Sequence, residues 1–194
     1  TFAVEGAGAL AYMAVFVPQF GARGIWISVF NSVSAFCNAG IDILADNSLC
    51  AYATEPLVNV VTCCLIVLGG IGYIVWWDVL RVLGQKKRCT RRNFWKHLTL
   101  QSKLAIYMTL LLIFGGAALI LAFEFNNPLT LGGMTLPQKL QAALFQSVTT
   151  RTAGFATVPQ QSLTNGAALV SLLLMFIGGC AGSTGGGLKV TRVV

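Results

Sequence analysis

Two long uncharged apolar runs limit what this chain can fold into. Residues 57–77 carry no charge and end against Asp78 and Arg81, and residues 104–123 carry none between Lys103 and Glu124. Each run reaches the roughly 20 apolar residues that cross a bilayer as a helix. In water, such runs would need a large charged shell around them. Only 10% of the 194 residues are charged and 56% are hydrophobic, so the chain reads as an all-α integral membrane protein. Two further spans are expected. Residues 2–17 are apolar except for Glu5, and residues 167–177 run into a glycine-rich string within a stretch uncharged from Arg151 to Lys189.

The net charge of +7 is concentrated in one place. Arg81, Lys86, Lys87, Arg88, Arg91, Arg92, Lys96 and Lys103 crowd the link between the two long spans. Loops of this kind stay on the cytoplasmic side. Residues 86–103 therefore read as a cytoplasmic basic linker of a multi-pass plasma-membrane protein. The linker reads as a solvated basic loop, with contact to anionic lipid headgroups as the other reading, and the lack of a soluble fold argues against nucleic acid. Cys37, Cys50, Cys63, Cys64, Cys89 and Cys180 form no C-x-x-C pair and read as small apolar-span residues, not a disulfide framework or zinc site. His97 stands without metal-ligand neighbours. The chain starts at Thr1 and stops at Val194 in an apolar context, which reads as two cuts in a longer protein.

Two other segments, residues 25–40 and 140–154, are apolar but too short or too polar to span. Each ends in small, hydroxyl or amide residues and a glycine, the pattern of a short helix entering and leaving a membrane from one side. With the basic linker inside, both loops enter from outside. The order is span, re-entrant loop, span, basic linker, then the same again, with a period of about 115 residues. The letters repeat too. Phe30-Asn31-Ser32-Val33-Ser34 parallels Phe145-Gln146-Ser147-Val148-Thr149, and each stretch then reaches Ala-Gly, at Ala39-Gly40 and Ala153-Gly154. The expected units are residues 1–85, the linker 86–103, and residues 104–194. Asp42, Asp46, Glu55 and Glu124, four of the six acidic residues, would gather cations at the outer mouth.

A dehydrated cation in a membrane needs oxygen ligands, and rings of backbone carbonyls supply them without burying a charge. Turning carbonyls to one axis is easiest with glycine. Cys37, Asn38, Ala39 and Gly40 in the first copy, and Thr152, Ala153 and Gly154 in the second, meet this requirement, with Arg151 and Phe155 as supports. Each follows a short helix whose partly negative C-terminal end points at the ion.

Ser34-Ala35-Phe36-Cys37-Asn38-Ala39-Gly40 and Thr149-Thr150-Arg151-Thr152-Ala153-Gly154-Phe155 resemble the filter segments of the Trk/Ktr/HKT superfamily of K⁺ transporters. Gly178-Gly179-Cys180-Ala181-Gly182-Ser183-Thr184-Gly185-Gly186-Gly187-Leu188-Lys189 resembles the glycine-rich interruption in that family's third repeat. The resemblance covers essentially the whole chain as the second and third of four helix–pore–helix repeats, half of a K⁺-channel-like pore. It implies K⁺ uptake driven by membrane potential, no covalent cofactor, a homodimer, and a cytosolic nucleotide-binding regulatory ring. Na⁺ is the other ion to consider. It also implies that Gly40 and Gly154 are two of four key filter glycines, made unequal by Asn38 standing where Thr152 stands in the other copy.

Arg151 is expected to tie down loop carbonyls or to pair with an acidic residue behind the filter. Residues 178–187 cannot hold a stable helix. Non-helical backbone at membrane depth must face protein or a water-filled cavity, so the segment sits inside the bundle; a close-packing kink is one reading, and the resemblance implies the other, a gate across the pore through Gly178, Gly179, Gly182, Ser183, Thr184, Gly185, Gly186 and Gly187. Ser183 and Thr184 would hold its closed shape by hydroxyl-to-backbone bonds. The spacing of a phosphate-binding P-loop is absent, and the spans hold no set of catalytic side chains, so an enzyme is not expected. The alternative is a broken-helix symporter coupling K⁺ to Na⁺ or H⁺; the spans are expected to hold no buried carboxylate or histidine to couple such an ion.

Overall fold

The computed structural model describes residues 1–44, 48–84, 94–180 and 182–189. Asp46, Lys86, Lys87, Arg88, Cys89, Arg91, Arg92 and Ala181 lie outside the described residues, as do residues 86–93 of the basic linker.

Helix α1 (Phe2–Phe20) turns back at Gly21, at φ 58, into α2 (Ala22–Phe36). A loop and a 3-10 turn lead to α3 (Pro56–Gly70), which opens on a proline that needs no backbone donor there. Helices α4 (Tyr73–Gly84) and α5 (Phe94–His97) precede α6 (Leu100–Glu124). Thr99 caps α6 by accepting from Ser102 N at 3.3 Å. Helix α7 (Leu136–Thr149) starts from a capping box in which Gln138 Oε1 accepts from Thr135 N at 3.0 Å. Helix α8 (Asn165–Phe176) is capped by Thr164. No strand occurs among the described residues; a single bridge pairs Ile177 with Leu188.

Helices α1 and α6 are each long and apolar enough to cross a membrane. The 25 residues of α6 extend about 37 Å, more than the ~30 Å hydrocarbon core. The uninterrupted span expected over residues 57–77 is not found: α3 and α4 meet at a bend of 93°. The cause is the run Gly69-Gly70-Ile71-Gly72. Gly72 sits at φ 92, which no right-handed helix contains. Trp76 Nε1 then donates to Leu68 O at 2.9 Å and ties α4 back across the bend. Helix α8 ends at Phe176, as its composition leads one to expect. Its 12 residues reach about 18 Å, and the backbone of residues 178–180 and 182–188 is non-helical.

Two cores share the bundle. One gathers Tyr12, Phe16, Ile27, Val58 and Leu65 from α1, α2 and α3 around Phe145 and Phe155. The other joins Ala105, Leu112 and Ile120 of α6 to Ala142, Ala143, Val170 and Leu174. A recurring device builds both. Ser32 Oγ of α2 donates to Glu5 O at 2.6 Å, and Ser147 Oγ of α7 donates to Ile113 O at 2.8 Å. A glycine on the long helix makes room each time. A Cβ at Gly8 would stand 2.6 Å from Ser32 Oγ and 2.8 Å from Leu65 Cδ1, while one at Gly116 would stand 2.7 Å from Leu174 Cδ1 and against Ser147 Oγ. The outward surface is rich in large apolar side chains, among them Leu10, Trp26, Tyr107, Phe114, Leu172 and Phe176, the dressing that hydrocarbon accepts and water does not.

Candidate functional site

The site lies where α2 and α7 end. Each short helix runs into a loop held by its own last hydroxyl. Ser34 Oγ donates to Ile41 O at 2.5 Å and accepts from Ile41 N at 3.0 Å. Thr149 Oγ1 donates to Phe155 O at 2.6 Å. The backbone closes in the same way in both loops: Ala39 N reaches Ser34 O and Ala153 N reaches Thr149 O, each at 2.9 Å. Ser34 and Thr149 are site residues to which the sequence alone assigns no role. Their matching hydroxyls in the repeated letters were the available signal.

Between those clamps the backbone alternates in hand. Asn38 has φ 52 and Gly40 φ 67; Thr152 has φ 75 and Gly154 φ 98; Ala39 and Ala153 between them are not left-handed. Alternation turns successive peptide planes over, so that carbonyls which would point to opposite sides of a strand come to one side. Thr152 is notable, because a β-branched residue in the left-handed region is strained. The two loops touch at their glycines. A Cβ on Gly40 would stand 2.8 Å from Gly154 Cα and well inside contact with Ala153 O, and a Cβ on Gly154 would stand 3.3 Å from Gly40 Cα. The structure therefore brings Asn38, Ala39, Gly40, Thr152, Ala153 and Gly154 together. Cys37 caps α2 with its side chain exposed, and Phe155 is fully buried in the core beneath the second loop.

The glycine-rich segment docks under both loops. Cys180 N donates to Gly70 O and Tyr73 N to Gly182 O, so the bend between α3 and α4 is part of its seat. Within the segment, Gly179 N meets Gly186 O and Gly178 N meets Leu188 O, both at 3.1 Å. Thr184 Oγ1 donates to Phe36 O at 3.2 Å. Ser183 does not share this role: among the described residues its hydroxyl is buried without a hydrogen-bond partner.

Arg151 also departs from expectation. It is buried, and its Nη2 reaches Thr109 Oγ1 of α6 at 3.5 Å rather than a carboxylate. The one ion pair among the described residues is Arg81 with Asp78. Glu124 is not a mouth charge either. It is 1% exposed and accepts from Asn127 Nδ2 at 2.8 Å, from Thr164 N and Oγ1 at 2.7 Å each, and from the Thr130 hydroxyl. Those donors consume its oxygens, so it knots the end of α6 to the start of α8. Glu55 is exposed and Asp42 half-buried, which leaves them solvated.

Residues 2–194 match the TrkH family, described as cation transport protein. The chain belongs to the TrkH family. It is 43% identical over 191 residues to the potassium/sodium uptake protein NtpJ of Enterococcus hirae, covering 98% of this chain and 40% of that protein. It is 37% identical over 195 residues to the Ktr system potassium uptake protein B of Bacillus subtilis, covering 100% of this chain and 41% of that one. The chain thus spans about two fifths of the length of these relatives. The crystal structure of the potassium transporter TrkH from Vibrio parahaemolyticus superposes with a TM-score of 0.73 at 24% identity, covering 99% of this chain and 37% of that one, which places the helical fold in the TrkH class. These TrkH-family relatives are transport proteins, not enzymes.

Proposed function

We propose that this chain supplies part of a K⁺-conducting pore, with residues 37–40 and 152–154 as two staves of a carbonyl-lined filter. The observation that carries this reading is the contact of two loops with the same left-handed alternation at the ends of two short helices. Potassium uptake by the curated relatives supports it. In this reading residues 1–85 and 104–194 are the second and third of four repeats in a plasma-membrane protein. The linker 86–103 faces the cytoplasm and the filter loops enter from outside. Ions move down the potential, about 2.3 kcal/mol per charge per 100 mV. Residues 178–187 form a gate beneath the filter, and a second copy and a cytosolic nucleotide-binding ring complete the assembly. Coupling to Na⁺ or H⁺ has less support, since the buried carboxylates Asp78 and Glu124 are each saturated with donors.

The test uses the full-length protein in cells lacking K⁺ uptake. It should restore growth at low K⁺, and Gly40→Ser with Gly154→Ser should reduce discrimination of K⁺ from Na⁺ in ion-competition uptake. Unaltered competition in a well-expressed double variant would remove these glycines from the filter.

A further inference from the structure

We propose that Asn38 and Thr152, at matching places in the two loops, are latches that hold the glycine-rich segment shut with their side chains while their backbones shape the filter. The proposal rests on the gate reading above. Asn38 Nδ2 donates to Thr184 Oγ1 at 2.9 Å, and Thr184 Oγ1 passes the chain on to Phe36 O at 3.2 Å. In the second loop Thr152 Oγ1 accepts from Gly186 N at 3.1 Å.

Each loop therefore reaches the same segment through the same position, with complementary chemistry. The amide donates to a hydroxyl, and the hydroxyl accepts from a backbone N–H. This explains why the two positions are unequal: they serve two different points of one segment.

It also explains why Thr152 is a threonine at all. At φ 75 glycine would sit there without strain, and a carbonyl alone would serve a filter equally well. The side chain is retained for what it binds. The fit leaves little slack around both bonds. A Cβ at Gly185 would lie 2.8 Å from Thr152 Oγ1, and one at Gly69 would lie 3.2 Å from Thr184 Oγ1 and against Phe36 O. Lys189 Nζ closes the far side by donating to Gly185 O at 2.6 Å. Moving the segment away breaks both latch bonds and frees the two left-handed loop residues together, so gate position and filter-base geometry are mechanically linked.

The experiment measures Rb⁺ uptake into K⁺-loaded liposomes by the full-length protein without any regulatory partner. Thr184→Val and Thr152→Val each remove one hydroxyl at constant shape. Each should raise this unstimulated flux about threefold to tenfold, the worth of one buried hydrogen bond. Thr184→Ser, which returns the hydroxyl, should bring the flux back down. Deletion of residues 182–186 is the control for the gate itself. High flux from the deletion with parental flux from both valine variants overturns the latch and leaves the gate. Parental flux from the deletion overturns both. A serine variant as leaky as Thr184→Val overturns the latch in favour of packing. If Thr152→Val does not reach the bilayer, Thr184→Val, outside the filter loops, decides alone; failure of both to assemble assigns these bonds to folding and overturns the latch.

Discussion

Glu124 shows how a single charge can be misread from its neighbours in sequence. It follows an apolar span and precedes a polar loop, as a solvated mouth residue would. Asn127, Thr130 and Thr164, all later in the chain, take up its oxygens, while Lys139 Nζ bonds Phe125 O at 2.7 Å and lies 4.2 Å over the Phe125 ring. Glu124→Gln keeps the volume but loses charge-assisted acceptance and offers an amide where donors already point. The full-length protein should lose roughly 2 kcal/mol of stability, read as a lowered midpoint of unfolding in detergent, with ion selectivity unchanged. An unshifted midpoint would mean the knot carries no energy. Arg151 teaches the same lesson from the opposite charge: its residue type announced an interaction, and only the approach of α6 selected Thr109 as its partner.

At the scale of the element, the short helices are positioned less by their own propensity than by serines and glycines on facing surfaces. Gly115 and Gly116 make this measurable, because adjacent residues on α6 point in different directions. A Cβ at Gly115 meets nothing within 4 Å, whereas one at Gly116 collides with Ser147 and Leu174. Gly116→Val should overpack the α6–α7–α8 contact and cost about 1–3 kcal/mol, whereas Gly115→Val should stay within about 0.5 kcal/mol of the parent. Detergent thermal unfolding of the two full-length variants compares them directly; equal midpoints would show that α7 is not seated through Gly116. The bend between α3 and α4 belongs to this scale too. Hydropathy sees one apolar run, since a turn of 93° changes no residue's polarity. Only the backbone at Gly72 and the hydrogen bonds to residues 180 and 182 distinguish a broken helix from a straight one.

For the molecule as a whole, the two loops meet at Gly40 and Gly154 and in the proposed pore supply two of four staves. Residues 1–194 expressed alone should therefore fail to restore growth of K⁺-uptake-deficient cells at low K⁺, even when membrane insertion is verified by fractionation. The full-length chain should restore it. Rescue by this segment alone would mean that two copies can complete a pore, and the reading of half a pore would fall.

The sequence by itself was enough for the class, for the apolar length of residues 104–123 that matches a membrane span, for the break after α8 and for the repeated Ala-Gly loops. These properties follow from local quantities: hydropathy over some 20 residues, glycine density, and letters that recur at one spacing. The left-handed alternation at Asn38 and Gly40 and at Thr152 and Gly154, the contact between the two glycines, the docking of residues 178–180 and 182–188 and the partners of Glu124 and Arg151 were decided by tertiary structure. Each depends on groups far apart in the chain, such as Asn38 and Thr184, 146 positions apart. A hydrogen bond is chosen by which donor and acceptor packing brings within about 3 Å, and nothing local to either residue carries that distance.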